Sequence, residues 1–154
     1  MEDGQIEAKA SGCALLYRVP GPLTVLGDAE LLRRAVENVV RNAIRHAPPG
    51  TAVEVDAVEK ADGVHVTVRD HGPGVPPGAL PNLFEPFYRV ESDRGRSSGG
   101  VGLGLAIVRR AVELHHGTVS ARNADPGLLV EIVIPAAPKT APARTTEPET
   151  ATSR

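Results

Sequence analysis

Three groups of residues have types and spacings that could do chemistry. In the stretch ENVVRNAIRH, Asn38, Asn42 and Arg45 recur at intervals of four and three. At about 100° per residue, these positions fall within roughly 60° of one another on a helix. Asparagine is a poor helix former because its amide competes for backbone hydrogen bonds, so propensity does not explain two of them on one face. The trio offers amide oxygens suited to a hard cation and a guanidinium suited to phosphate; a solvated polar face is the alternative. Glu37 sits off this stripe, four residues from both Arg33 and Arg41, and i,i+4 ion pairing accounts for it.

The second group begins at Asp70, which ends the alternating run GVHVTVRD and leads into His71, Gly72, Pro73 and Gly74. A carboxylate followed by glycines that let a ligand approach can read an exocyclic amine. It can equally serve the turn itself. The third group is GGVGLGL at residues 99–105, with Gly100, Val101, Gly102, Leu103 and Gly104 at its centre. Glycine loses more backbone freedom on folding than any other residue and gives positive φ and close backbone approach in return. Where it feeds a helix, unpaired N–H groups and the positive dipole end face outward, a ready setting for phosphate. The spacing is neither GxxxxGK[ST] nor a strand-borne GxGxxG.

Positioning these groups requires a mixture of helices and strands. ALLYRV and PLTVLG are short apolar runs split by Pro20, Gly21 and Pro22, which suits a hairpin or two edge strands. Asp28 is placed to cap a long helix running to about His46, stopped by Pro48, Pro49 and Gly50, with Leu32, Val36, Val39, Val40 and Ala43 as its core stripe. TAVEVDAVEK and GVHVTVRD alternate with period two and predict two antiparallel strands. DHGPGVPPG reads as loop, followed by a short helical stretch and an open loop. A second helix spans about Gly104 to His115, and GTVSARNA and GLLVEIVIP supply two more strands. Strands and helices segregate, which predicts an α/β two-layer sandwich with helices on one face of a mixed sheet rather than a Rossmann sheet.

With 154 residues, 41% of them hydrophobic, the chain has room for one core, assigned to residues 1–137; the Pro/Ala/Thr-rich residues 138–154 read as a disordered tail. A formal charge of −2 argues against a broad nucleic-acid or anionic-membrane surface. The single cysteine, Cys13, suits a reducing cytoplasm. No apolar run approaches the roughly 20 residues of a membrane span, and MEDGQIEAKA lacks a signal-peptide core, so any membrane anchor is expected outside these residues.

In order, ENVVRNAIRHA, RDHGPGVP, FEPFYRV and GGVGLGLAIVRRAVELHHGTV resemble the ATP-binding catalytic domain of bacterial sensor histidine kinases over about residues 26–135. The wording is most similar to the envelope-stress kinases of the Cpx type. This resemblance implies the Bergerat fold, with ATP held between the long helix and a lid. It makes Asn42 the Mg²⁺ ligand and Asn38 its partner one turn earlier, Arg45 a phosphate contact, and Asp70 the acceptor for the adenine amino group, with Gly72 and Gly74 giving the base room. Phe84, Phe87 and Tyr88 would pack the lid's hinge, and Arg89 would reach the γ-phosphate. The backbone of Gly100, Val101, Gly102, Leu103 and Gly104 would close on the triphosphate, with Ser97, Ser98 and Gly99 as the mobile part of the lid. The catalytic candidates are Asn38, Arg89 and Glu37.

The chain departs from its relatives' pattern in three places. Related ATPases of this fold carry a glutamate where Asn38 stands, to activate water; here the glutamate is one residue earlier, which turns it by about 100° and fits a kinase better than a hydrolase. His46 takes a position often held by tyrosine. The segment DPGLLVEIVIP keeps only Gly127 of the usual last glycine pair. None of the five histidines, His46, His65, His71, His115 and His116, lies in the HE or HD motif of a phosphoacceptor. His115 and His116 precede a glycine and read as helix C-terminal capping residues. The implied partners are therefore a histidine-bearing dimerization domain preceding residue 1 and, through it, a response regulator, with the parent protein in the inner membrane and this domain in the cytoplasm. A stand-alone anti-sigma-factor serine kinase of the same fold is the alternative, and FEPFYRV argues against it.

Overall fold

The computed structural model describes residues 2–90 and 102–136. Gly100, Val101, Ser97, Ser98, Gly99 and the tail 138–154 lie outside the described residues. A five-stranded sheet is formed by β1 (Ala14–Arg18), β2 (Ala52–Lys60), β3 (Gly63–Arg69), β4 (Thr118–Asn123) and β5 (Leu128–Ile134), in the order β1-β2-β3-β5-β4. Three helices, α1 (Glu2–Ala10), α2 (Ala29–His46) and α3 (Gly104–Leu114), pack with it, and a 3₁₀ helix spans Pro77–Asn82. This is the two-layer α/β sandwich that the pattern predicts.

The strands' alternation places Val53, Val55, Val68, Val130, Ile132 and Ile134 in the core with the helices. β2 and β3 form the expected antiparallel pair, turning at Ala61 and Asp62 so that Lys60 stands opposite Gly63. β4 pairs antiparallel with β5, and β5 inserts between β4 and β3.

The segment following β1 differs from the hairpin reading. β1 pairs parallel with β2, Leu15 opposite Val53, and PLTVLG contributes only an isolated bridge between Val25 and Ala136. Pro20 and Pro22 have no N–H to give a ladder, and with α2 as the intervening crossover the connection can be parallel. α1 has no counterpart among the expected elements. Its sequence shows no apolar stripe: Ala8 is buried, Ile6 is exposed, and Glu7 reaches Arg41 of α2 at 3.3 Å. Tertiary contacts rather than periodicity stabilise it.

α2 starts where expected. Asp28 Oδ1 accepts the N–H groups of Glu30 and Leu31 at 2.9 and 3.0 Å. Its buried face is Ala35, Val39, Val40, Ala43 and Ile44, a stripe rotated from the expected one; Leu32 and Val36 are only partly buried. The reason is α3, which packs on α2 through its own buried Val108, Ala111 and Val112 and draws the small Ala35 inward. His115 ties these helices together. Its Nδ1 donates to the Ala111 carbonyl at 2.7 Å, and its Nε2 accepts the Asp28 N–H at 2.9 Å. A Cβ at Gly27 would strike this ring, so the glycine is needed there.

Candidate functional site

A cleft of about 660 Å³ opens between α2, the loop after β3, the segment 83–90 and the start of α3. Asn38, Asn42 and Arg45 all line it, as helical spacing requires, and Arg41 joins them. Glu37 does not line the cleft. One residue around the helix, it faces α1 and is ion-paired with Arg33, while Arg41 pairs with Glu7 rather than with Glu37.

Asp70 is buried at 3% exposure and lines the opposite part of the cleft. Its two readings prove compatible. Oδ1 accepts the Gly72 N–H at 2.8 Å and the Leu128 N–H at 3.3 Å, thereby serving the turn, while Oδ2 has no hydrogen-bond partner among the described residues. Packing alone requires both loop glycines. A Cβ at Gly72 would strike the His46 carbonyl oxygen, so this glycine lets the loop close on the end of α2, and it does not line the cleft. Gly74 does line it, at φ +69, where a Cβ would stand 2.6 Å from Asn123 Oδ1.

On the third side are Gly102, Leu103 and Gly104. Gly102 has φ +80, a Cβ there would stand 2.9 Å from the Tyr88 carbonyl oxygen, and its own carbonyl accepts the Phe87 N–H at 3.0 Å. α3 begins at Gly104 with Leu103 as its N-cap and no side-chain hydrogen bond to its first N–H groups, in contrast to the Asp28 cap of α2. Those N–H groups and the positive end of the helix dipole border the cleft, opposite the Asn38 amide.

Tyr88 and Arg89 line the cleft and Phe84 is buried in the core. Phe87 is 70% exposed at φ 63, so it does not pack as the hinge reading expects; its N–H is used on Gly102 instead. Sequence reasoning does not find Arg41, Val75, Leu83, Ile107 or Leu128 among the lining residues. For Arg41 the signal is present, one turn before Arg45 and about 40° from it around the helix. Leu128 enters the site only because β5 lies beside β3.

The cleft thus has a carboxylate with apolar neighbours at one end, and amides, guanidiniums and an uncapped helix terminus at the other. A nucleoside triphosphate has the same polarity.

The family described as histidine kinase-, DNA gyrase B- and HSP90-like ATPase matches residues 27–138. The sensor histidine kinase CpxA of Escherichia coli (strain K12) is 41% identical over 128 residues, which is 82% of this chain and 28% of that protein. The chain therefore spans under a third of the length of these curated relatives. Among solved structures, the mycobacterial sensor histidine kinase MprB superimposes with a TM-score of 0.77 at 35% identity, covering 89% of this chain and 93% of that one. Full-length ShkA in complex with AMPPNP gives a TM-score of 0.72 at 32% identity, covering 89% of this chain and 29% of that one. With the cleft's polarity, these likenesses place the chain in the histidine kinase-, DNA gyrase B- and HSP90-like ATPase family, as the ATP-binding catalytic domain of a sensor histidine kinase.

Proposed function

We propose that this domain, residues 1–137, binds Mg–ATP in the cleft and donates the γ-phosphoryl group to a histidine on a dimerization domain of the same kinase, which in turn serves a response regulator. The observation that carries this reading is the juxtaposition of the Asn38, Asn42 and Arg45 stripe with the uncapped start of α3, and of Asp70 with the far end of the same cleft.

In this reading Asp70 Oδ2 accepts from the adenine amino group. Arg45, the α3 N-terminus and the backbone of residues 100–104 hold the phosphates, and Arg89 meets charge at the γ-phosphate. Asn42, with Asn38 beside it, would hold Mg²⁺. Hard amide oxygens on a half-buried helix face fit a cation that takes few protein ligands and keeps its waters. Bound there, the cation would neutralise phosphate charge. The P–O bond to ADP breaks as a P–N bond to the acceptor imidazole forms, so the chain's part is positioning and charge compensation. Glu37, turned toward Arg33, is not aimed at an attacking water in the cleft, which favours transfer over hydrolysis. Among the described residues no helix is long and apolar enough to cross a membrane; an inner-membrane parent with this domain in the cytoplasm accords with the Cpx-type likeness. The serine-kinase alternative is not favoured beside relatives that are sensor kinases.

Incubation of this chain with Mg²⁺ and γ-labelled ATP should give no acid-labile label. Addition of the dimerization domain should give phosphohistidine on that domain, and Arg89→Ala should suppress transfer more than nucleotide binding. His115, with both ring nitrogens engaged, is not available as an acceptor. Acid-labile label on the isolated chain at His115 or His116 would overturn the proposal.

A further inference from the structure

Asn123, the last residue of β4, makes a paired contact that the nucleotide reading does not use. Its Nδ2 donates to the Val75 carbonyl at 2.7 Å, and its Oδ1 accepts the Val75 N–H at 2.9 Å. The amide thus acts as one rung of a β-ladder, tying the cleft-lining loop to a strand 48 residues away in sequence. Gly74 is seated against the same Oδ1, at a distance no Cβ could occupy.

The turn that follows Asn123 supports Asp70 as well. The Asp70 N–H donates to the Leu128 carbonyl at 3.1 Å, and the Leu128 N–H donates back to Asp70 Oδ1. Gly127, at φ +96, lies so close to the Asp70 carbonyl that any Cβ would overlap it. The turn itself is braced: Ala124 N–H donates to the Gly127 carbonyl at 2.9 Å, and the Arg69 guanidinium reaches the carbonyls of Ala124 and Pro126 at 3.4 Å each. Asp70, Gly74, Val75 and Leu128, which form one wall of the cleft, are therefore fixed by one turn between two strands. Among the described residues, Asn123 is the only side chain that makes two hydrogen bonds to that loop's backbone.

We infer that Asn123 is a positioning residue for base recognition, holding the Gly74 and Val75 backbone so that Asp70 Oδ2 meets the adenine amino group at a fixed depth. This rests on the assignment of Asp70 as the base-reading carboxylate. The side chain is exposed and outside the core, so its replacement leaves the fold's packing intact. Released from β4, the loop can drift, and groups that read one base lose their register while the phosphate end, on α2 and α3, keeps its geometry.

The test is calorimetric titration of the full chain with Mg–ATP, Mg–GTP and Mg–tripolyphosphate, in wild type, Asn123→Ala, Asn123→Asp and Asp70→Asn. Asn123→Ala removes both bonds; Asn123→Asp keeps an acceptor for the Val75 N–H but sets a second oxygen against the Val75 carbonyl. Both should lower ATP affinity by about tenfold, the order expected for losing one or two hydrogen bonds. Both should narrow the preference for ATP over GTP and leave tripolyphosphate binding unchanged. If Asp70→Asn loses the preference while both Asn123 variants keep wild-type affinity and preference, the base-reading assignment stands and the inference about Asn123 falls. An equal loss for all three ligands would make Asn123 a general stability residue and also overturn it. A wild type without preference for ATP over GTP would remove the base-reading assignment and the inference together.

Discussion

A single turn of α2 separates Asn38 from Asn42, and both reach the cleft; Glu37, next to Asn38 in sequence, is turned to Arg33. At this scale the chemistry is set by angle around the helix, because each step rotates a side chain by about 100°. The half-buried Asn42 lines the cleft and makes no side-chain hydrogen bond among the described residues, so in the proposed reading its amide serves a ligand rather than the fold. Asn42→Ala should abolish Mg²⁺-dependent ATP binding in titration calorimetry while the thermal midpoint stays near wild type. Unchanged affinity in the presence of Mg²⁺ would remove Asn42 from the site.

The two long helices are treated differently at their N-termini. α2 is closed by Asp28, whose carboxylate takes two of its first N–H groups and whose own N–H is taken by His115. α3 starts on glycine, and its N-cap Leu103 makes no side-chain hydrogen bond to the helix start that borders the cleft. In the proposed reading, the capped terminus secures a structural helix, whereas the open one keeps N–H groups for an anion. Asp28→Ala should therefore lower stability by about 1 kcal/mol in urea unfolding, the usual cost of a lost N-cap, with no change in ATP-over-GTP preference. A change in that preference would show that the start of α2 is coupled to the base pocket.

Across the whole molecule, the helices cover one side of the sheet and leave the other to cross-strand polar contacts. On that face His65 of β3 contacts Glu131 of β5 at 2.9 Å through Nδ1 and Asp62 of the β2–β3 turn at 2.8 Å through Nε2. These two carboxylates raise its pKa above the ordinary 6.5, Glu131 first and Asp62 next, against burial and the nearby Lys60. A raised folded value means that the folded state holds the proton more tightly than the unfolded chain. The resulting stabilisation is complete below about 6.5 and is lost as pH rises through the raised value. Urea midpoints of the wild type should fall from pH 6 to pH 8 by more than those of His65→Gln; parallel profiles would show that the imidazolium is not what joins β3 to β5.

Periodicity in the sequence was enough to determine α2 with its Asp28 cap, the β2–β3 pair, α3, and the grouping of Asn38, Asn42 and Arg45 on one face. Each depends on neighbours a few residues apart, where helix and strand geometry leave little choice. Alternation also shows which strand residues face inward, but not which strand lies beside which. Only the folded chain decided that β1 runs parallel to β2, that β5 enters between β3 and β4, and that α1 forms at all on so weak a pattern. Of the hairpin or two edge strands expected from ALLYRV and PLTVLG, only the first run became an edge strand, because β1 found its partner in the distant β2 rather than in the adjacent run, and Phe87 is exposed rather than packed at the lid's hinge. Asp70 was legible as a strand-end carboxylate, whereas the wall behind it was not. Leu128, Gly127 and Asn123 stand 53 to 58 residues further along, and reach Asp70 and its loop only because long-range backbone pairing places β5 against β3.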